Sequence, residues 1–143
     1  MLEDIKNSNK KEDCDLVNTN ALNLAFMGDA IWTTLVREYF CVNTNFKNNN
    51  LHKLTTKFVK ATFQAKIIDF LFDFFTDKEK ELIKRARNTK MHTVSKNASL
   101  GEYKKATGFE AVLGYLYFNN NFERINLLFS KVEKEFLKEI KKW

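Results

Sequence analysis

Leu24-Ala25-Phe26-Met27-Gly28-Asp29-Ala30-Ile31-Trp32 is the stretch that decides the fold. It is apolar on almost every side, and Asn18, Thr19 and Asn20 before it are all good helix N-caps. A helix from about Ala21 to Phe40 follows, ending at Asn43-Thr44-Asn45. A helix without a polar face belongs at the centre of a core. Outward from it the chain keeps a helical period. Leu51, Leu54, Phe58, Ala61, Ala65, Ile68, Phe72 and Phe75 recur at spacings of three or four. The Asn48-Asn49-Asn50 cluster is placed to cap that segment, which is one long helix or two with a bend. Thr76-Asp77-Lys78-Glu79 and Ser99-Leu100-Gly101-Glu102 read as capping boxes. They start a charged helix to about Asn88 and an apolar one to Phe118. Asn119-Asn120-Asn121 breaks the second, and Phe122, Ile125, Leu128, Val132, Phe136 and Ile140 mark a last amphipathic helix.

Composition agrees with this pattern. The 143 residues contain no proline and four glycines, too few turn residues for a sandwich or barrel. The expectation is an all-α single domain over residues 18–143, with residues 1–17 a loose lead-in. No apolar run approaches the ~18 residues a bilayer requires, and the acidic start has no apolar leader. Cys14 and Cys41 form no CxxC pair and have no histidine at ligand spacing, so neither a zinc site nor a disulfide framework is expected. The cytoplasm is the expected compartment. The 20 lysines, 16 asparagines and 14 phenylalanines match the codon bias of an AT-rich genome, so lysine content alone carries no function. Its placement does. Residues 84–105 carry Lys84, Arg85, Arg87, Lys90, Lys96, Lys104 and Lys105 against Glu102, a net +6 that equals the surplus of the whole chain. A basic stretch is often only a solvated surface. This one also holds two of the four arginines, which favours a polyanionic partner.

Two acids stand apart from the lysine-rich faces. Asp29 lies in the central helix and Glu110 in Gly108-Phe109-Glu110-Ala111-Val112-Leu113-Gly114. Neither has a basic residue three or four positions away. An ionised carboxylate in apolar surroundings costs several kcal/mol unless paired or bound to a cation. Gly28 precedes one, and Gly108 and Gly114 flank the other. Glycine inside a helix is unfavourable by roughly 0.5–1 kcal/mol, so a close approach by a neighbouring helix or a ligand is expected there. Salt bridges to Arg37, Arg85 or Arg124 are one reading of the two acids. The other is a shared Mg²⁺, which takes one or two protein carboxylates and leaves its other positions to water and phosphate. With a basic surface nearby, that second reading points to metal-assisted phosphodiester hydrolysis. A separation of 81 positions does not by itself establish proximity.

Phe26-Met27-Gly28-Asp29-Ala30 resembles the signature helix of ribonuclease III catalytic domains, and Tyr103 to Tyr117 resembles their second acidic helix. The likeness is strongest to the Mini-ribonuclease III subfamily, which is the catalytic domain alone. Val36-Arg37-Glu38, Leu51-His52-Lys53, Val59 to Gln64, Lys84 to Asn88, Ser95-Lys96-Asn97 and Arg124 follow in its order, over about residues 20–130. The resemblance implies an all-helical two-fold homodimer that cleaves double-stranded RNA with Mg²⁺. It also implies a role in maturing the ends of large-subunit (23S) ribosomal RNA, with a ribosomal protein as a candidate for shaping the substrate. Asp29 and Glu110 would be the catalytic and metal-binding residues. Phe26 would be the plug inserted into the partner subunit, unless it is ordinary core. Lys84, Arg85, Arg87, Lys90, Lys96, Lys104 and Lys105 would hold RNA, and Thr107 would orient a water. The acids that longer ribonuclease III enzymes carry one turn before each of these two are replaced by Ala25 and Thr107. Ala86 stands for a usual glycine and Ser95 for a usual proline. His52 and His92 are weaker candidates as general bases. The contrary reading is a non-catalytic RNA-binding or ribosome-assembly module, and a third is a helical dimerisation protein.

Overall fold

The computed structural model describes residues 19–89, 98–138 and 140. The residues 1–17 lead-in therefore lies outside it, as do Lys90, His92, Ser95 and Lys96. Among the described residues every regular element is helical: α1 Ala21–Asn43, α2 Asn48–Val59, α3 Ala61–Leu71, a 3₁₀ turn Phe72–Phe74, α4 Asp77–Asn88, α5 Leu100–Phe118 and α6 Phe122–Val132. A π-helical segment, Glu133–Leu137, prolongs α6. No described helix is long and apolar enough to cross a membrane.

The helix ends follow local chemistry. The Asn20 side chain accepts from Leu22 N at 2.8 Å and starts α1. Thr76 with Glu79 and Ser99 with Glu102 form complete, reciprocal capping boxes. Asn120 takes φ 57°, a left-handed conformation asparagine tolerates, and Asn121 caps α6 through Arg124 N. The second asparagine cluster behaves differently. Asn48, Asn49 and Asn50 form the first turn of α2, and the cap position is Lys47, with no side-chain cap. The continuous period across residues 51–75 resolves into two helices. Lys60 is extended (ψ 156°) between α2 and α3, and Gln64 Nε2 secures the break by donating to Val59 O at 2.9 Å.

The core is built on α1 and α5, which share the most extensive helix contact, with α3 and α4 packed on α5 and α2 on α1. Trp32, Phe40, Phe109, Leu113 and Leu128 are essentially inaccessible within it. Trp32 Nε1 donates to Phe58 O at 2.9 Å, so its polar edge also joins α1 to α2. The last helix departs from its sequence pattern. The widened π turn moves Leu137 into the core and leaves Phe136 half-buried against Phe63 and Phe70. Tyr39 Oη donates to the Leu137 carbonyl at 3.1 Å and holds that turn.

Candidate active site

Two glycines set the geometry. A Cβ on Gly28 would lie 1.7 Å from the Glu110 carbonyl oxygen, and one on Gly114 would lie 1.9 Å from the Leu24 carbonyl oxygen. Gly28 sits on Glu110 and Leu24 on Gly114, so α1 and α5 run antiparallel with their backbones in direct contact. One helical turn separates the two contact points on each helix. No residue with a side chain fits either position. Gly108 performs a similar service for α4, whose Ile83 Cγ2 would stand 2.9 Å from an added Cβ.

This crossing carries the two acids together. Asp29 follows Gly28 directly, and its carboxyl is in hydrogen-bonding contact with that of Glu110. Asp29 is exposed and Glu110 half-buried, so the pair opens to solvent on the Asp29 side. The expectation of a wholly apolar setting for Asp29 is thus corrected. Its apolar sequence neighbours point to other sides of the helix, while Asp29 lies at the edge of the buried stripe. Glu110 is the strained member. Burial first, then the hydrogen bond that protonated Glu110 donates to Asp29, and the like charge of Asp29, push the Glu110 carboxyl from 4.5 up to about 9. At neutral pH the Glu110 carboxyl therefore holds its proton.

Two of the arginines considered as partners for these acids are engaged elsewhere. Arg124 forms a two-pronged pair with Glu79, Nη2 to Oε1 at 2.7 Å and Nε to Oε2 at 3.0 Å, and also donates to Phe74 O at 2.9 Å. Arg85 Nη2 donates to Thr19 O at 3.0 Å. Among the described residues no group of three or more His, Cys, Asp or Glu is arranged to hold a metal. A solvent-facing pair of touching carboxyls fits Mg²⁺, which takes one or two protein carboxylates and keeps water in its other positions. Thr107, buried one turn before Glu110, donates its hydroxyl proton to Tyr103 O at 2.9 Å. Only its lone pairs remain to accept from a water.

Of the expected basic strip, Lys84 and Arg87 are exposed on α4, and Lys104 is half-buried near the start of α5. The Gly108–Ile83 contact holds these two helices together. Lys105 pairs with Asp69 at 2.8 Å on the surface. Arg85 differs most from expectation. Its half-buried guanidinium ties α4 to the entry of α1. Lys84 and Arg85 line a cleft of about 400 Å³ with Lys78, Asn88 and Tyr115. Phe26 is not core. It is 83% exposed on α1, next to an apolar hollow of about 340 Å³ lined by Met27, Ala30, Ile31, Tyr117 and Phe122. The Glu79–Arg124 clip had no signal of its own in the sequence. Its partners are 45 positions apart, and Glu79 reads there only as a capping residue.

Residues 22–121 match the Ribonuclease III domain family. The chain is 38% identical over 124 residues to Mini-ribonuclease 3 of Staphylococcus aureus, covering 85% of this chain and 92% of that protein. It is 42% identical over 120 residues to Mini-ribonuclease 3 of Streptococcus pneumoniae, covering 82% and 92%. The crystal structure of protein FN1578 from Fusobacterium nucleatum superposes with a TM-score of 0.78 at 32% identity, covering 86% of this chain and 98% of that one. The Gly28–Glu110 crossing thus lies within the matched region, and the chain belongs to the ribonuclease III family, in its Mini-ribonuclease III branch.

Proposed function

We propose that the protein is an Mg²⁺-dependent endoribonuclease that cuts double-stranded RNA as a two-fold dimer. The observation that carries the proposal is the contact between the Asp29 and Glu110 carboxyls at a backbone-to-backbone helix crossing. Asp29 and Glu110 would hold the ion, which supplies Lewis acidity toward the phosphoryl oxygen and an activated water near neutral pH. The residues themselves orient and exclude. Gly28 fixes the spacing of the acids. The half-buried side of Glu110 keeps bulk water from one face of the site. Lys84, Arg87 and Lys104 offer cationic ends to the sugar–phosphate backbone, which is how A-form duplexes are held when their bases are not read. A dimer gives each strand of the duplex one carboxyl pair, matching protein symmetry to the approximate two-fold of the helix. Phe26 of each subunit would seat in the apolar hollow of the other. The duplex we propose is the precursor of large-subunit (23S) ribosomal RNA.

The replacement of neighbouring acids by Ala25 and Thr107 favours one competing reading, an RNA-binding module without cleavage. A cleavage assay on duplex RNA with Mg²⁺, against the same reaction in EDTA, separates the two. Products that appear only with Mg²⁺ support the enzyme. Binding without products under both conditions supports the module.

A further inference from the structure

The first described residue is held by a cation. Thr19 O accepts from Arg85 Nη2 at 3.0 Å, so the chain enters α1 along the rim of the cleft that Arg85 lines. That cleft, of about 400 Å³ between α4 and Tyr115 of α5, mixes charge with apolar surface. Lys78, Lys84 and Arg85 stand against Glu81, and Leu82 and Tyr115 supply the apolar wall. Lys78 Nζ leans over the Tyr115 ring, 5.1 Å from its centroid, which keeps one cation over that wall.

The sequence before Thr19 has the complementary chemistry. Glu12, Asp13 and Asp15 are followed by Leu16, Val17 and Asn18, so residues 12–18 carry three acids and no base. The apolar pair lies nearest the anchor and the acids just beyond it. An extended chain gains at most about 3.6 Å per residue, so Asp15 stays within about 14 Å of Thr19 and Glu12 within about 25 Å. So short a tether gives these acids an effective concentration at the cleft on the order of millimolar. Surface ion pairs too weak to hold a free peptide suffice for a segment tethered in this way.

We propose that residues 12–17 dock on this cleft as an internal polyanion, their three carboxylates facing Lys78, Lys84 and Arg85 and their Leu16 and Val17 packing on Leu82 and Tyr115. The docked run occupies cations that the nuclease reading offers to RNA, so a duplex has to displace it. Competition with a tethered acid discriminates against short or sparsely charged polyanions. The docking stands apart from the nuclease reading; its displacement by RNA rests on that reading.

The docking is tested without RNA. In the full chain carrying Cys41→Ser, a nitroxide is attached to Cys14, which lies between Asp13 and Asp15. Cys41 is exposed, so that substitution leaves the fold intact. Paramagnetic broadening of the Lys84, Asn88 and Tyr115 amides is compared with that in the same protein bearing Glu12→Gln, Asp13→Asn and Asp15→Asn. The tether alone keeps the label near, so the difference between the two forms is the reading. At low salt, neutralisation should lower the broadening rate at Lys84 and Asn88 by about threefold or more, and about 1 M salt should bring the unsubstituted run to the same level. Equal broadening in both forms, or broadening that salt leaves unchanged, overturns the proposal. Displacement is read from duplex RNA binding in the Asp29→Asn background, where RNA is bound without being cut. Neutralising the acids should tighten binding at low salt by about three- to tenfold, and Lys78→Gln plus Lys84→Gln should erase most of that gain. No gain, or a gain that survives those two substitutions in full and so reports net charge alone, overturns the displacement. If no form of the protein binds duplex RNA, the nuclease reading falls, and the broadening comparison still decides the docking.

Discussion

At the scale of single residues, Glu110 links structure to function. Its carboxyl holds a proton up to about pH 9, against 4.5 for an ordinary glutamate. The folded, metal-free state therefore binds one more proton than the unfolded chain across that window, and its stability falls as pH rises through it. Glu110→Gln removes this dependence. Thermal melts in EDTA should show the wild-type midpoint dropping more steeply from acid to alkaline pH than that of the variant. Above neutral pH the variant should be the more stable, by about 1–2 kcal/mol, because it removes a carboxyl that burial and Asp29 hold back from ionising. Adding Mg²⁺ should raise the wild-type midpoint and leave the variant unmoved. The same proton opposes the metal. A cation must displace it, so Mg²⁺ affinity should increase about tenfold per pH unit below the Glu110 titration. Calorimetric titration at several pH values reads this directly, and a pH-independent affinity contradicts a proton-coupled site. Parts of this chemistry were visible in the sequence. Asp29 and Glu110 lacked helical charge partners, and three glycines stood beside them. The contact between the acids was not visible, because pairing across 81 positions is fixed by tertiary packing and leaves no periodic trace.

At the scale of elements, the crossing of α1 and α5 depends on two missing side chains. Gly28→Ala or Gly114→Ala places a methyl inside a backbone carbonyl, so the helices must separate. Either should destabilise by about 3 kcal/mol or more, and the first should also abolish activity by parting the carboxyls. Gly101 is the contrast. An added Cβ there meets nothing nearer than Ser99 Oγ at 3.9 Å, so Gly101→Ala should be neutral or stabilising by up to about 1 kcal/mol. Urea denaturation of the three variants checks the ranking. A second element-level link is Glu79, which caps α4 through Thr76 N and receives both prongs of Arg124 from α6. Arg124→Ala leaves that buried carboxylate unpaired and should cost about 3–5 kcal/mol by the same measurement. The sequence was most legible where bonding is local. Both capping boxes and the asparagine stop after α5 form within four residues and stand as expected. It was least legible where a long-range demand wins. The α2 asparagines are turned into the helix, and the π turn after Val132 recruits Leu137 in place of Phe136.

At the scale of the whole molecule, the chain leaves large apolar side chains uncovered on one side of α1. Phe26 is 83% exposed beside a hollow of aromatic and aliphatic residues, an arrangement suited to reciprocal insertion across a two-fold axis. Phe26→Ser should shift the protein toward monomer in sedimentation velocity while circular dichroism still reports full helix content. A Phe26→Ser protein that remains dimeric places the interface elsewhere. The domain's organisation around one central helix was readable from the apolar run at Leu24–Trp32, because an element without a polar face has only one place in a globule. The surface proposed to meet RNA was only partly readable. Charge clustering singled out residues 84–105 as the expected contact strip, but the Arg85 guanidinium within it donates to the Thr19 carbonyl, a bond across 66 positions that charge counting does not reveal. All of these scales converge on one chemical act. The most direct measurement is the single-turnover rate at which purified, folded Asp29→Asn protein cleaves duplex RNA in Mg²⁺. Loss of one of the two carboxylates should lower that rate about a thousandfold or more, whereas cleavage at the wild-type rate would mean that the Asp29–Glu110 pair is not where the chemistry happens.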